Sequence, residues 1–262
     1  LNKAVEIEHL NVTYGGDGEQ LVAVKDVSLE VREGELVTII GPSGCGKSTL
    51  LHAVGGLIKP TSGTIRVGGK PLEKPDPRTA AFVFQEYSLL PWKTVVENVA
   101  IGLKFEGVDR ATRREAALEH LRIMGLEEFA DKRPGQLSGG MQQRVAVARA
   151  LVMQPRLVLM DEPFGALDEQ TRMRIGSEIS RVFTLEARSA MFVTHSLDEA
   201  VFLADRIIMM SARPGTIVEE IVVDEPRPRS REFMQTKTFI DIRSHLFASL
   251  EPPAREDDAL YR

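Results

Sequence analysis

At 262 residues the chain is long enough for one large α/β domain, or for a domain carrying an inserted subdomain, which excludes a chain dominated by disorder. A hydrophobic fraction of 43% and a charged fraction of 27% belong to an ordinary globular protein, and a net charge of −5 argues against a surface built to grip a phosphate backbone. The single cysteine, Cys45, excludes an internal disulfide, and no apolar run approaches the ~20 residues of a membrane-spanning helix. With no basic, apolar leader at its start, the chain is expected in a reducing cytoplasm, and any work at a membrane needs another chain to do the spanning.

Apolar and polar residues alternate in Val5–Leu10 and Val24–Val31, with Gly15-Gly16-Asp17-Gly18 as a turn between them, which predicts antiparallel β. Leu36–Ile40 is a β-branched strand ending in glycine, and helical spacing of Leu50, Leu51, Val54 and Leu57 predicts a helix over Lys47–Leu57. Thr64–Val67 and Ala81–Phe84 are further strands on either side of the Pro-rich Lys70–Pro77 loop. From about Tyr87 to Gln154 the pattern turns helical, with helices over Thr94–Leu103, Ala111–Met124 and Ser138–Met153, so residues 87–154 are expected to be a helical insertion.

Strands resume with Leu157–Met160, a continuous apolar run of the kind buried on both faces of a parallel sheet. A helix over Glu169–Glu186, a strand at Ala190–Val193, a helix over Leu197–Ala204 and strands at Arg206–Met210 and Thr216–Val222 follow. The alternation predicts a mostly parallel sheet with helices on both faces. Residues 1–223 then form one domain; residues 224–262 open on Glu225-Pro226-Arg227-Pro228-Arg229, an extended linker, and continue into an amphipathic helix with Phe233, Ile240 and Phe247 at heptad distance and Leu246 and Leu250 nearby.

Gly41-Pro42-Ser43-Gly44-Cys45-Gly46-Lys47-Ser48 fits G-x-x-x-x-G-K-[ST] between a predicted strand and a predicted helix, the context that motif requires. Its glycines let backbone N–H groups close on a β-phosphate, Lys47 can neutralise β/γ oxygens, and the Ser48 hydroxyl can ligate Mg²⁺. Leu157–Met160 ends in Asp161-Glu162, which places Asp161 at the C-terminal edge of the sheet as a second Mg²⁺ ligand and aims Glu162 at the γ-phosphate and the attacking water. In Leu137-Ser138-Gly139-Gly140-Met141-Gln142-Gln143-Arg144, two glycines and a serine at a helix start form a second anion site, far along the chain from the first.

From Val5 to about Val223 the sequence resembles the ATPase subunit of an ATP-binding-cassette transporter, a P-loop NTPase with an N-terminal antiparallel β subdomain and an inserted helical subdomain. LSGGMQQR matches that family's signature motif, Asp161-Glu162-Pro163 its Walker B with catalytic glutamate, and Gly165-Ala166-Leu167-Asp168 its D-loop. Gln85 stands as the Q-loop glutamine, a further Mg²⁺ contact, and His195 as the switch histidine. Tyr14 stands where the family stacks an aromatic on adenine, or else is a strand-end packing residue; Thr49 closes the nucleotide-binding loop. Cys45 is small enough to fit that loop, with redox control of nucleotide binding as the alternative.

The resemblance implies a dimer of two such chains, each P-loop closing on ATP against Ser138, Gly139 and Gly140 of the other, with Asp168 bridging the protomers. Catalysis would fall to Glu162, His195, Gln85 and Lys47. Membrane permease subunits, and indirectly an extracytoplasmic solute-binding protein, are the implied partners, which puts the chain on the cytoplasmic face of the membrane. Gln85–Val95 and Thr194–Ala200 are similar to the nitrate, sulfonate and taurine importer group; some relatives have Asp where Ser196 stands. Bicarbonate and pyrimidine-type solutes remain open as cargo. Leu89, Leu90, Pro91 and Trp92 either line the groove for a permease helix or pack inside the helical subdomain. His9, His52, His120 and His245 are expected to be surface or helix-packing residues. The absence of coiled-coil or zinc insertions, and of an Asn-Lys-x-Asp stretch, disfavours nucleic-acid-repair cassettes and GTPases.

Overall fold

Two long strands open the chain, β1 (Lys3–Tyr14) and β2 (Leu21–Arg32), paired antiparallel with Val5, Ile7, Leu10 and Val12 pointing inward. The inward alternation skips a residue between Ile7 and Leu10 because the register shifts there, at His9, whose φ of 49° turns the strand. The computed structural model describes residues 2–15, 20–165 and 167–250; Gly16, Asp17 and Gly18 of the expected turn, and Ala166 of the expected D-loop, lie outside them.

In chain order there follow β3 (Leu36–Ile40), α1 (Lys47–Val54), β4 (Ser62–Val67), β5 (Lys70–Pro71) and β6 (Ala80–Val83). The helical region holds α2 (Val95–Val99), α3 (Ile101–Phe105), α4 (Arg110–Ile123) and α5 (Gly139–Leu151). Then come β7 (Leu157–Asp161), α6 (Glu169–Leu185), β8 (Ser189–Val193), α7 (Leu197–Leu203), β9 (Arg206–Met210), β10 (Ile217–Val222) and α8 (Lys237–Leu250). Among the described residues these strands form two sheets. One is antiparallel, ordered β2-β1-β4-β5; the other is ordered β10-β9-β3-β8-β7-β6 and is parallel except for β10 at its edge.

The parallel strands are buried on both faces, and their period of two sorts the core into two layers. Val37, Ile39, Leu157, Leu159, Met191 and Val193 pack with Leu50, Leu51 and Val54 of α1 and with the antiparallel sheet. Ile40, Val158, Met160 and Phe192 face the other way, onto α5, α6 and α7.

Four differences from the sequence reading have local causes. The helix expected to reach Leu57 stops at Val54, because Gly56 takes a φ of 73° and the amides of Gly56 and Leu57 bond back to the carbonyls of Ala53 (3.0 Å) and His52 (2.9 Å), a left-handed glycine cap. The helix expected over Thr94–Leu103 is two short ones, α2 and α3, divided at Ala100. The extended segment 225–229 is docked rather than free: the Arg227 guanidinium pairs with Asp205 (2.8 Å) and donates to the Gly34 carbonyl (2.8 Å), and Arg229 is buried. Finally, the heptad stripe is not the inner face of the terminal helix. Ile240 and Phe247 are 51% and 59% exposed, whereas Phe239 and Leu246 are buried, since the last helix starts only at Lys237 and Phe233 belongs to a separate 3₁₀ turn.

Candidate functional site

Strands β3, β8, β7 and β6 are neighbours and parallel, so their C-terminal ends lie along one edge: Ile39 is level with Val193, Val193 with Asp161, and Met160 with Val83. The loops leaving those ends carry Gly41–Ser48, His195, Asp161-Glu162 and Gln85. Sheet topology therefore gathers into one crevice residues that are up to 154 positions apart in the chain (195 − 41), the usual place for a ligand on an open α/β sheet.

The loop Gly41–Gly46 runs directly into α1, whose N-terminal N–H groups and dipole favour an anion. Gly46 has φ of 104°, and a Cβ there would lie 2.5 Å from the Ala23 carbonyl oxygen of β2, so only glycine fits. Lys47 is buried, its ammonium donating to the carbonyls of Gly41 (2.8 Å) and Pro42 (2.9 Å). Arg213, which sequence reasoning missed, donates from Nε (3.1 Å) and a terminal nitrogen (3.0 Å) to the Gly44 carbonyl and so braces the loop from the β9–β10 turn. Cys45 is buried among apolar residues, which agrees with a packing role and leaves its thiol shielded. Tyr14 is 40% exposed and its hydroxyl lies 3.3 Å from Thr49 Oγ1, so the open ring face stands beside the first turn of α1.

Ser48 donates its hydroxyl to Asp161 Oδ1 at 2.9 Å, joining the two expected Mg²⁺ ligands. Burial pushes the Asp161 carboxyl up, against the Ser48 hydrogen bond and the nearby His52, which hold it down. His52, expected to be a surface or helix-packing residue, has its Nε2 3.6 Å from Asp161 Oδ2, buried without a hydrogen-bond partner. The signal was its spacing, four residues after Ser48 and hence on the same face of α1.

Glu162 has φ of 46°, a left-handed backbone that costs a non-glycine residue about 1–2 kcal/mol and turns its side chain out of line with the strand. Its amide is held by the Val193 carbonyl (3.0 Å). The carboxylate then sits between two donors, Gln85 Nε2 at 3.3 Å from one oxygen and His195 Nε2 at 2.5 Å from the other. Each oxygen keeps a second lone pair for water. Behind His195 lies a polar knot: Thr194 donates to Glu199 (2.5 Å) and accepts from the Ser196 amide (3.0 Å), while Arg172 pairs with Glu199 (3.3 Å) and donates to the Leu167 carbonyl (3.0 Å). Burial raises the Glu199 carboxyl, opposed by its bond to Thr194 and by Arg172. The Ser196 hydroxyl accepts from the Glu199 amide and caps α7, a role that a carboxylate at that position can also fill.

Ser138 caps α5, accepting from the Met141 amide (3.4 Å), and Ser138 and Gly139 are exposed while Gly140 is buried. Space beside Gly139 and Gly140 is taken by Leu167, Thr171 and Ile175, so this helix start abuts Leu167 and the first turns of α6. Among the described residues no hydrogen bond or ion pair joins Ser138–Gly140 to Gly41–Thr49 of the same chain. Asp168 is exposed and caps α6; hydrogen bonds from Thr171 keep its carboxyl below the usual range.

After Gln85 the chain is shaped by two side chains that sequence reasoning did not single out, the buried Asn98 and the half-buried Arg149. Asn98 bonds both polar groups of Leu90 (2.7 and 3.1 Å) and the Thr94 carbonyl (2.9 Å), and Arg149 of α5 donates to the carbonyls of Tyr87 (2.7 Å) and Ser88 (2.6 Å). Trp92 projects from this segment 68% exposed, which rules out packing inside the helical region. Nearby, Lys93, Thr94, Glu97, Lys104 and Arg110 line a groove of about 230 Å³.

Comparison with known proteins places these features. A family model described as "ABC transporter" matches residues 24–165. A nitrate import ATP-binding protein of Synechocystis is 43% identical over 87% of this chain and 87% of its own, and a bicarbonate transport ATP-binding protein of the same organism is 40% identical over 96% and 90%. Among solved structures, a dimeric ATP-binding cassette in a post-hydrolysis state bound to ADP and Pi superposes with a TM-score of 0.74 at 36% identity, covering 85% of this chain and all of that one.

Proposed function

The chain belongs to the ABC transporter family as an ATP-binding ATPase coupled to transport, and from that premise we propose that it drives import of a small anion by hydrolysing ATP at sites shared between two copies. The observation that carries the hydrolytic reading is the Glu162 carboxylate, held from either side by Gln85 and His195 beside the Ser48–Asp161 pair.

The donors at the expected metal position are a hydroxyl, a carboxylate and an amide, the hard oxygen set that suits Mg²⁺. Ser48 and Asp161 would hold it, with Gln85 as a further contact; when bound, it would neutralise charge on the β- and γ-phosphate oxygens. Lys47 and the N–H groups of Gly44–Ser48 bind the phosphates. Glu162 orients the attacking water through a free lone pair and takes up its proton, while His195 and Gln85 fix the carboxylate and meet the γ-phosphate edge. Tyr14 offers its exposed face to adenine.

Ser138 and Gly139 are exposed and make no polar contact with their own Gly41–Thr49, which supports their serving the nucleotide of a second copy, as the dimeric state of the similar cassette suggests. The exposed Trp92 beside a groove supports docking of a permease helix there, and hence a place at the cytoplasmic face of the membrane beside a solute-binding protein's permease. Nitrate and bicarbonate transport relatives at similar identity favour a small anion over other cargo. Glu162→Gln should abolish steady-state ATP hydrolysis while ATP binding stays within about threefold of wild type, measured by phosphate release and by nucleotide fluorescence. Substantial turnover by that variant would sink the assignment.

A further inference from the structure

The segment after β10 grips α7 at both of its ends. At the C-terminal end the Arg229 guanidinium, 5% exposed, donates to the carbonyls of Val201 (2.9 Å), Phe202 (3.1 Å) and Ala204 (2.7 Å). These belong to the last turn of the helix, where carbonyls lack partners within the helix and a cation complements the dipole. The same guanidinium bonds the carbonyls of Val223 (3.2 Å) and Glu225 (2.6 Å) and lies 5.2 Å from the Phe233 ring centre, so it fastens the tail as it caps the helix. Burial lowers its pKa to about 10, which leaves it charged at neutral pH.

At the N-terminal end, Arg243 of α8 pairs with Asp198 in the first turn of α7, Nε to Oδ1 2.6 Å. Phe239 and Leu246 of α8 are buried and hold that helix in place. His195 lies two residues before α7 begins, and Arg243 lines the same cleft, of about 450 Å³, as Glu162 and His195. A shift or rotation of this seven-residue helix would change the 2.5 Å approach of His195 to Glu162.

We propose that residues 224–250 form a clasp that fixes α7 and, through it, the placement of His195 against Glu162, with Arg243 as a positioning residue for hydrolysis. The clasp rests on the hydrolytic reading of Glu162 and His195. Arg229 anchors the tail from within the fold, whereas the Arg243–Asp198 pair is partly exposed, so its removal tunes the rate and leaves the fold intact.

The test uses full-length chains: wild type, Arg243→Ala, Asp198→Ala, the double variant and Arg243→Lys, assayed with Mg-ATP. Arg243→Ala should lower kcat about two- to fivefold with KM for ATP and melting temperature unchanged, the size expected for a partly screened ion pair. The double variant should be no slower than the slower single one, and Arg243→Lys should recover at least half of the lost rate. Wild-type kcat in Arg243→Ala, or single losses that multiply in the double variant, would overturn the clasp; so would a rise in KM at unchanged kcat. A wild-type chain with no Glu162-dependent turnover would overturn the hydrolytic reading and the clasp with it.

Discussion

Replacing Asn98 by Ala should destabilise the segment that carries Trp92 without touching the nucleotide crevice. Asn98 is fully buried, and its amide makes good bonds to the Leu90 N–H (2.7 Å), the Leu90 carbonyl (3.1 Å) and the Thr94 carbonyl (2.9 Å). The Thr94 carbonyl keeps its helical bond from the Asn98 amide, so two groups of Leu90 bear the loss. A buried polar group left without a partner costs about 1–3 kcal/mol, and part of Leu90 can reach solvent, so a total of about 2–4 kcal/mol is expected. Urea denaturation would read that figure. Hydrogen exchange over residues 86–98 should rise together with a change in the emission of Trp92, the single tryptophan, while exchange at Gly41–Ser48 stays as in wild type. Asn98→Asp should cost at least as much, since it keeps the acceptor for the Leu90 amide but buries a carboxylate against the Leu90 and Thr94 carbonyls. A loss under about 0.5 kcal/mol for Asn98→Ala, with unaltered exchange, would refute the reasoning.

Gly46→Ala should weaken ATP binding at least about tenfold in equilibrium titration, because a Cβ at φ of 104° meets the Ala23 carbonyl and forces the loop out of shape; near-normal affinity would show that the loop tolerates the side chain. Ser138→Arg should leave nucleotide binding by one copy intact and cut turnover at least about tenfold by blocking closure of two copies, with unchanged phosphate release counting against a shared site.

Much of the crevice was legible in the linear order because its parts are local. A glycine loop between a β-branched strand and a helix, or an apolar run closing on Asp161-Glu162, states its geometry within about ten residues. Asn98, Arg149 and Arg213 were not legible: an arginine or asparagine in a helix or turn reads as surface until folding shows which distant carbonyls it meets. His52 is intermediate, since its spacing from Ser48 put it on the right face but could not bring Asp161 to it.

The amino-acid sequence by itself determined the α/β class and the places of the phosphate loop, the paired acids and the Leu137–Arg144 motif, because short-range patterning encodes each. Only the tertiary structure decided how these meet. Parallel pairing of β3, β8, β7 and β6 brings Glu162 between Gln85 and His195, residues whose separation of 110 positions (195 − 85) no local pattern spans. It also decided the face of the last helix. Periodicity shows that α8 has apolar stripes, but its packing on α7 and the core buries Phe239 and Leu246 and leaves Ile240 and Phe247 outside.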